Sequence, residues 1–462
     1  MSSFTRTVFV LASFVAFSAL SSVSQAQSCG SGGGATVCLT ATGTSSNIGL
    51  TWTVSGTITA IEVYRDTDSN PTGRVRLASL AASARNYTDS TAVAGTPYWF
   101  WIKFRASGTQ FNSNAATATR SGGGGGGGGS GTPVGFGRSA TGGAGGAVVT
   151  ARTGTEINAA LCARASVSTP LIIRVDGTIN HGNTTRVTGS CDTTATEVQF
   201  KGVSNVTLVG VSNRGVLDQI GVHLRNTNNI VVQNLWIRNV KKSGSPISNG
   251  GDAIGMESGV NNVWVDHNTL EASGGESSGF DSLLDMKAGV TNITVSWNHY
   301  RNSSRAGLIG SSDDDDANTN ITFHHNWYEN IEQRMPLLRH GLVHTYNNYF
   351  SNLSNSDMIH GINSRMGGRV LVEGNYFRNS NNPLLASDDS PQPGCWQTRS
   401  NTLDSISYSR SVGDGALVIP VITNGQFDST CSVSVPYSYA LDPSGNIPSI
   451  VSNGSGHGKI AP

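Results

Sequence analysis

The sequence is short of charge. Only 13% of its 462 residues are Asp, Glu, Lys or Arg, and 30 basic residues balance 30 acidic ones. A chain without a net field has no global means of drawing in nucleic acid or a membrane surface, so neither is expected as a partner. Long apolar runs are also missing. Val8–Leu20 is short for a membrane span, and no other candidate span follows it. There are six cysteines, none at a CxxC spacing, which removes the usual zinc pattern. Low charge together with 57 glycines argues against a helical bundle and for strands and turns.

Met1–Ala26 reads as a secretory leader. Arg6 opens it, Val8–Leu20 is largely apolar, and Ser24-Gln25-Ala26 offers a small-x-small cleavage site. The expected location is therefore extracellular. Six cysteines are compatible with disulfides there, and their order suggests Cys29–Cys38, Cys162–Cys191 and Cys395–Cys431, although order does not prove pairing. Residues 29–120 alternate apolar and polar positions, as in IGLTWTV, ITAIEVYR and TPYWFWIKF, which predicts a small β-sandwich. Trp52, Tyr64 and the run Gly95–Phe104 resemble a fibronectin type III module, with Tyr98 placed like its corner tyrosine. Trp52, Trp99 and Trp101 are read as packing residues ahead of sugar-binding ones. Ser121–Ser130 is SGGGGGGGGS, a flexible tether, and 121–134 is taken as a linker before a second domain at 135–462.

That second domain repeats. NIVVQNLWI, NVWVDHNTL, NITVSWNHY, NITFHHNWY, VHTYNNYF and RVLVEGNYF align on Asn234, Asn268, Asn298, Asn326, Asn348 and Asn375, at intervals of 34, 30, 28, 22 and 27 residues. Two positions later stand Trp236, Leu270, Tyr300, Tyr328, Phe350 and Phe377. Short strands at such irregular periods indicate a solenoid with loops of variable length. The expectation is an all-β chain whose second domain is a right-handed single-stranded parallel β-helix, with an asparagine ladder at one turn and an internal aromatic stack. A β-propeller needs blades of about 40 residues, which these intervals do not reach. The less periodic tail from about Pro383 is expected to cap or wrap the coils. The glycine-rich entry from Gly135 lacks the GK[ST] of a phosphate loop.

Chemistry concentrates in Asp281–Gly341, where Asp281 and Asp285 are followed by Lys287, Arg305, Arg334 and Arg339. Asp281 and Asp285 would lie about 13 Å apart on an extended strand, too far for one ion with ligands at about 2.3–2.6 Å. Either the strand bends or one acid comes from a turn. Four segments, DAIGMESGVNNVWVDHNTL, FDSLLDMKAGVTNITVSWN, RAGLIGSS and RMPLLRHGLVHTYNNYF, resemble polysaccharide lyase family 1, the pectate lyases. The resemblance covers roughly 135–462, and VWVDH followed by RxPxxRxG is its most specific part. It implies calcium held by Asp252, Asp281 and Asp285, an all-oxygen set that suits the ion. Gly250 stands where some members carry a further acid. The resemblance also makes Arg334 the proton-abstracting residue and Arg339 a binder of substrate carboxylate. Arg305 takes the family's usual lysine position, and Lys287 either orients a ligand, touches substrate or is merely solvated. Pro336 disfavours a strand interior, so Arg334 and Arg339 are expected on a turn or coil edge. Asp313–Asp316 is read as solvated, and Asp266, His267, His324, His325 and His344 as strand framework.

The implied function is a secreted, monomeric pectate lyase. It would cleave (1,4)-α-D-galacturonan by calcium-assisted β-elimination, leaving 4,5-unsaturated ends. Three readings compete: a pectin lyase on methylated polymer, a β-helix polygalacturonase, and a non-catalytic carbohydrate binder. The second needs paired acid and base carboxylates, and its motifs are missing apart from a faint Gly456-His457-Gly458.

Overall fold

The computed structural model describes residues 29–43, 47–92, 96–120, 131–387, 389–410 and 416–460. The leader read at Met1–Ala26 and the glycine run 121–130 lie outside the described residues. Two compact units are present: the described residues of Met1–Ala41, Leu50–Tyr87 and Tyr98–Thr117, and those of Thr42–Gly49, Thr88–Pro97 and Ala118–Pro462. Disulfides join Cys29 to Cys38, Cys162 to Cys191 and Cys395 to Cys431.

The N-terminal strands form two sheets. One orders Gly30–Gly32, Ala35–Gly43, Ile48–Ser55 and Asn86–Asp89. The other joins Val75–Leu80, Ala60–Asp66, Pro97–Ala106 and Thr109–Asn112, with antiparallel pairing along this path and Ala116–Thr119 also against Pro97–Ala106. Alternation buries Val37, Leu39, Leu50, Val63, Phe100, Ile102 and Phe104. Trp52 and Trp101 are buried as well, and the Trp52 indole N–H donates to Ala84 O at 2.9 Å. Packing therefore accounts for both, whereas Trp99 is half-buried.

In the second unit the coil strands pair in parallel, each with the strand one coil later, while Ile422–Thr423 and Gln426–Phe427 in the tail pair antiparallel. The register runs Val263, Ile293, Ile321, Val343, Val370, and all five side chains are fully buried. One sheet has 17 strands, from Ala147–Ala151 to Thr402–Ser407, and a second has eight, from Val198–Lys201 to Leu384–Ala386. This is the expected parallel β-helix. Inside it Tyr300, Tyr328, Phe350 and Phe377 stack with centroids 4.6–4.9 Å apart, close to the coil spacing of about 4.8 Å.

The asparagine ladder is present but shifted by one member. Each backbone N–H donates to the next side-chain oxygen from Asn268 through Asn298, Asn326, Asn348 and Asn375 to Asn401, at 2.9–3.0 Å. Asn234 does not belong. Gln233 pairs with Asp266 and Trp236 with Thr269, so Leu235 holds the ladder position and its N–H donates to Asn268 Oδ1. Aligning by residue identity slipped that coil by one, and a one-residue slip exchanges the faces. Ile237 thus enters the interior, while Trp236 joins the outward column of Thr269, His299 and Trp327. The missed member, Asn401, begins a coil whose strand Thr402–Ser407 still pairs with Tyr376–Asn381. Gln426 Oε1 then accepts from Asn401 N at 2.9 Å and ends the ladder. The tail packs alongside, with Ile447 and Val451 against Tyr349. Asp266, His267, His324, His325 and His344 are all buried within the coils, as the framework reading expects.

Candidate active site

The eight-stranded sheet brings the acids and bases together. Val222–Arg225, Ile254–Glu257 and Leu284–Lys287 share one pattern, with the first and third residues buried in the apolar core. The other positions form two columns: His223, Gly255, Asp285, and Arg225, Glu257, Lys287. Asp252 precedes the second of these strands, and Asp281 lies in the turn before the third. Of the two geometries open for Asp281 and Asp285, the turn approach is the one adopted. A side chain on Gly251, whose φ is +98°, would come within 3.0 Å of Asp281 Cβ, so the two turns touch.

Cations hold these carboxylates. Lys287 Nζ donates to Asp252 Oδ2 at 3.2 Å and lies 2.9 Å from Asp285 Oδ2. Burial works against its charge, but Asp285 and Asp252 more than compensate and raise its pKa. Asp285 Oδ1 also accepts the backbone N–H of Leu308 at 3.0 Å. Arg305 donates to Asp281 Oδ1 at 2.9 Å and pairs with Glu276 through its other terminal nitrogen. Arg339 donates to Asp313 Oδ1 at 2.8 Å and to Gly310 O at 3.0 Å.

Arg334 differs from the other cations. It sits at φ +65° in the turn after Trp327–Gln333, a strained region for a residue with a side chain. Its Nε, like that of Arg305, is buried without a hydrogen-bond partner, but Arg334 makes no ion pair among the described residues, whereas Arg305 pairs with Asp281 and Glu276. Burial, then the like charge of Arg305, lower its pKa. Arg339, by contrast, is the last residue of a short strand, Leu337–Arg339, so the expected coil-edge placement holds for Arg334 alone.

Comparison with known proteins decides the family. A profile described as pectate lyase matches residues 109–460. The chain belongs to the pectate lyase family. A pectate trisaccharide-lyase of Bacillus licheniformis is 40% identical over 323 residues, which cover 70% of this chain and 84% of that one. A pectate lyase from Bacillus sp. N165, solved with trigalacturonate, superposes with a TM-score of 0.58 at 30% identity, covering 71% of this chain and 99% of the other. Pectate lyase C of Erwinia chrysanthemi, solved at pH 9.5 with 30 mM calcium, gives a TM-score of 0.58 at 26% identity and covers 71% and 97%. The reaction is lyase cleavage of pectate, and the polygalacturonase reading falls away.

Among the described residues no three acids or histidines are arranged as a metal centre, and Lys287 lies against both Asp252 and Asp285; only the oxygen donors themselves are of the kind calcium takes. Asp252 is 4% exposed, and its Oδ1 is buried with no hydrogen-bond partner. Burial, then Asp285, push its pKa well above the usual carboxylate range. A buried carboxylate oxygen without a partner, beside two further carboxylates, is a place a divalent cation would satisfy.

Several neighbours escaped the sequence reading. Glu276 anchors both Lys242 and Arg305, whose hydrogen bonds hold its pKa at about 2. Glu197, His223 and Glu257 line an open cavity of about 200 Å³ with Asp252 and Lys287. A second repeat column, read through VHLR, IGME and LDMK, would have found His223 and Glu257. Asp313 and Asp315 are not simply solvated. Asp313 orients Arg339, and Asp315 accepts from the backbone N–H groups of Ala288 and Ser311; only Asp314 and Asp316 are exposed.

Proposed function

We propose that this chain is an extracellular lyase that cleaves (1,4)-α-D-galacturonan by β-elimination, with Arg334 as the base. The carrying observation is the Arg334 guanidinium, which makes no ion pair among the described residues and whose pKa burial and Arg305 lower, whereas the carboxylates beside Arg305 raise that of Arg305. Asp252, Asp281 and Asp285 would hold calcium, which when bound supplies positive charge that draws electrons toward the uronate carboxylate. Lys287 keeps Asp252 and Asp285 together, and Arg305 with Lys242 fixes Asp281. Arg339, oriented by Asp313, offers a donor to a substrate carboxylate. Arg305 occupies the lysine position of the family, and its engagement with Glu276 and Asp281 makes it a cation shared between substrate and Asp281.

The elimination balances on these residues. Arg334 takes the C5 proton, the C5–H electrons form the C4=C5 double bond, and the C4–O bond breaks. The departing chain end then collects a proton from water. Preorganised positive charge at the carboxylate lowers the barrier to the carbanion-like state. The N-terminal strands suit a fibronectin type III-like module tethered by 121–134, and a leader at 1–26 would send the monomeric enzyme out of the cell. Among the described residues no helix is long and apolar enough to cross a membrane.

The test is ultraviolet absorbance of unsaturated product from polygalacturonate and from methylated pectin, each with calcium or a chelator. Product from polygalacturonate that chelation abolishes is expected. Chelator-insensitive product formed preferentially from methylated pectin would overturn the calcium assignment in favour of a pectin lyase.

A further inference from the structure

The outward position of Trp236 leads to a second cavity, lined on the coil strands by Trp236, Thr269, His299, Arg301 and Trp327 and by none of the arginines and aspartates of the candidate site. The coil strands Trp236–Arg238, Thr269–Gly274, His299–Arg305 and Trp327–Gln333 provide one wall, and the tail 452–459 folds back as the other. The opening is about 290 Å³, near the lower end for small-ligand pockets. Its walls are aromatic. Trp236 stacks with His457 at 5.3 Å, and His299 stacks with Trp327 at 4.1 Å. Its polar groups are hydroxyls and cations: Thr269 accepts from His457 N. Ser455 is 3% exposed, lines the cavity, and its Oγ has no hydrogen-bond partner. Arg301 pairs with Glu271 through one terminal nitrogen, yet its Nε is also partnerless. Lys459 is exposed and makes no ion pair among the described residues. Burial, then Arg301, lower the pKa of His457, so it contributes ring surface more than charge.

We infer that this cavity, walled by Trp236 and His457 and edged by Ser455, Arg301 and Lys459, is a second binding site for a short acidic oligosaccharide. The aromatic walls suit the apolar C–H face of a pyranose ring, and the cations suit its carboxylate. The buried hydroxyl of Ser455 is unpaired, a deficit a sugar hydroxyl would remove. Choosing galacturonate among acidic sugars rests on the pectate lyase reading. Such a site would keep the enzyme on its polymer between cuts, at higher effective concentration.

Equilibrium dialysis of the full chain with labelled trigalacturonate, with turnover stopped by chelator, tests it. Lys459→Glu changes an exposed tail residue, and Trp236→Leu removes the aromatic wall. At saturation each variant is expected to bind one equivalent per chain fewer than the parent. Assayed afterwards with calcium on short soluble substrate, Lys459→Glu is expected to form unsaturated product within twofold of the parent rate. Equal stoichiometry in parent and both variants would overturn the second site while leaving the lyase reading intact. Unsaturated product from the parent, measured in the same samples, checks that reading separately.

Discussion

Asp252→Asn is expected to make the calcium-free protein more stable and the calcium-loaded protein less so. Asp252 is 4% exposed, its Oδ1 has no protein hydrogen-bond partner, and burial with Asp285 raises its pKa despite Lys287 at 3.2 Å. A carboxyl whose folded pKa is raised weakens the fold above that pKa, and the loss disappears as pH falls through it. Asparagine mimics the protonated form. Asparagine keeps a polar atom at that place but removes the buried negative charge, whose incomplete pairing costs on the order of 1–3 kcal/mol; allowing for the weakened Lys287 contact, a net gain of about 1–2 kcal/mol is expected. For a domain of this size that is roughly 2–4 °C in melting midpoint. Calcium at a hundredfold excess over its Kd would stabilise the parent by about 2.7 kcal/mol, and the variant by much less. Calorimetry with chelator and with calcium should therefore show the two melting curves exchanging order, with the chelator gap closing at lower pH. A variant less stable than the parent in chelator would refute the idea that Asp252 is held at a cost for a cation.

Arg334→Lys should fold normally and retain polygalacturonate binding while losing about 10²–10⁴-fold in kcat, the usual contribution of a positioned base; near-normal kcat with a raised KM would make Arg334 a binding cation. Because the ordinary guanidinium pKa is above 12 and burial with Arg305 lowers it here, the parent's kcat should rise into the alkaline range; a plateau below neutrality would count against the base role. Asn326→Leu removes an oxygen that accepts from Asn298 N and Nδ2, and a donor to Val295 O and Asn348 Oδ1. Denaturant titration should show a loss of about 3–5 kcal/mol, and a loss under about 1 kcal/mol would remove the ladder from the stability account. Glu373 is fully buried against His344 and Arg399, and although burial opposes it these partners depress its pKa to about 2 from 4.5. Its stabilisation, about 3 kcal/mol, is present above pH 4.5 and lost as pH falls toward 2; Glu373→Gln should flatten acid unfolding across that window.

Strand periodicity was legible in the sequence because each coil repeats one chemical demand: an apolar pair inside and an asparagine at the turn. The offset at Asn234 was not. The asparagine there hydrogen-bonds Gly210 O and Ser212 O and accepts from Gly458 N, so it satisfies a different turn with the same residue type. At the candidate site, Asp252, Asp281, Asp285 and Arg334 were singled out through motif order. Glu276 and Lys242 were not, because loops between strands carry no period and their pairing is set only by folding. The same holds for His457, which reaches Trp236 across 221 positions of chain.

The ladder links residues 30, 28, 22, 27 and 26 positions apart, so the rungs tolerate what lies between them. Insertions and deletions in the intervening loops can change the rim of the cleft while the register of Asp285 and its neighbours stays fixed. Inheritance can thus vary the polymer this scaffold accepts without renegotiating the chemistry it performs. An engineer wishing to retarget the enzyme should splice loops whole and leave every rung alone.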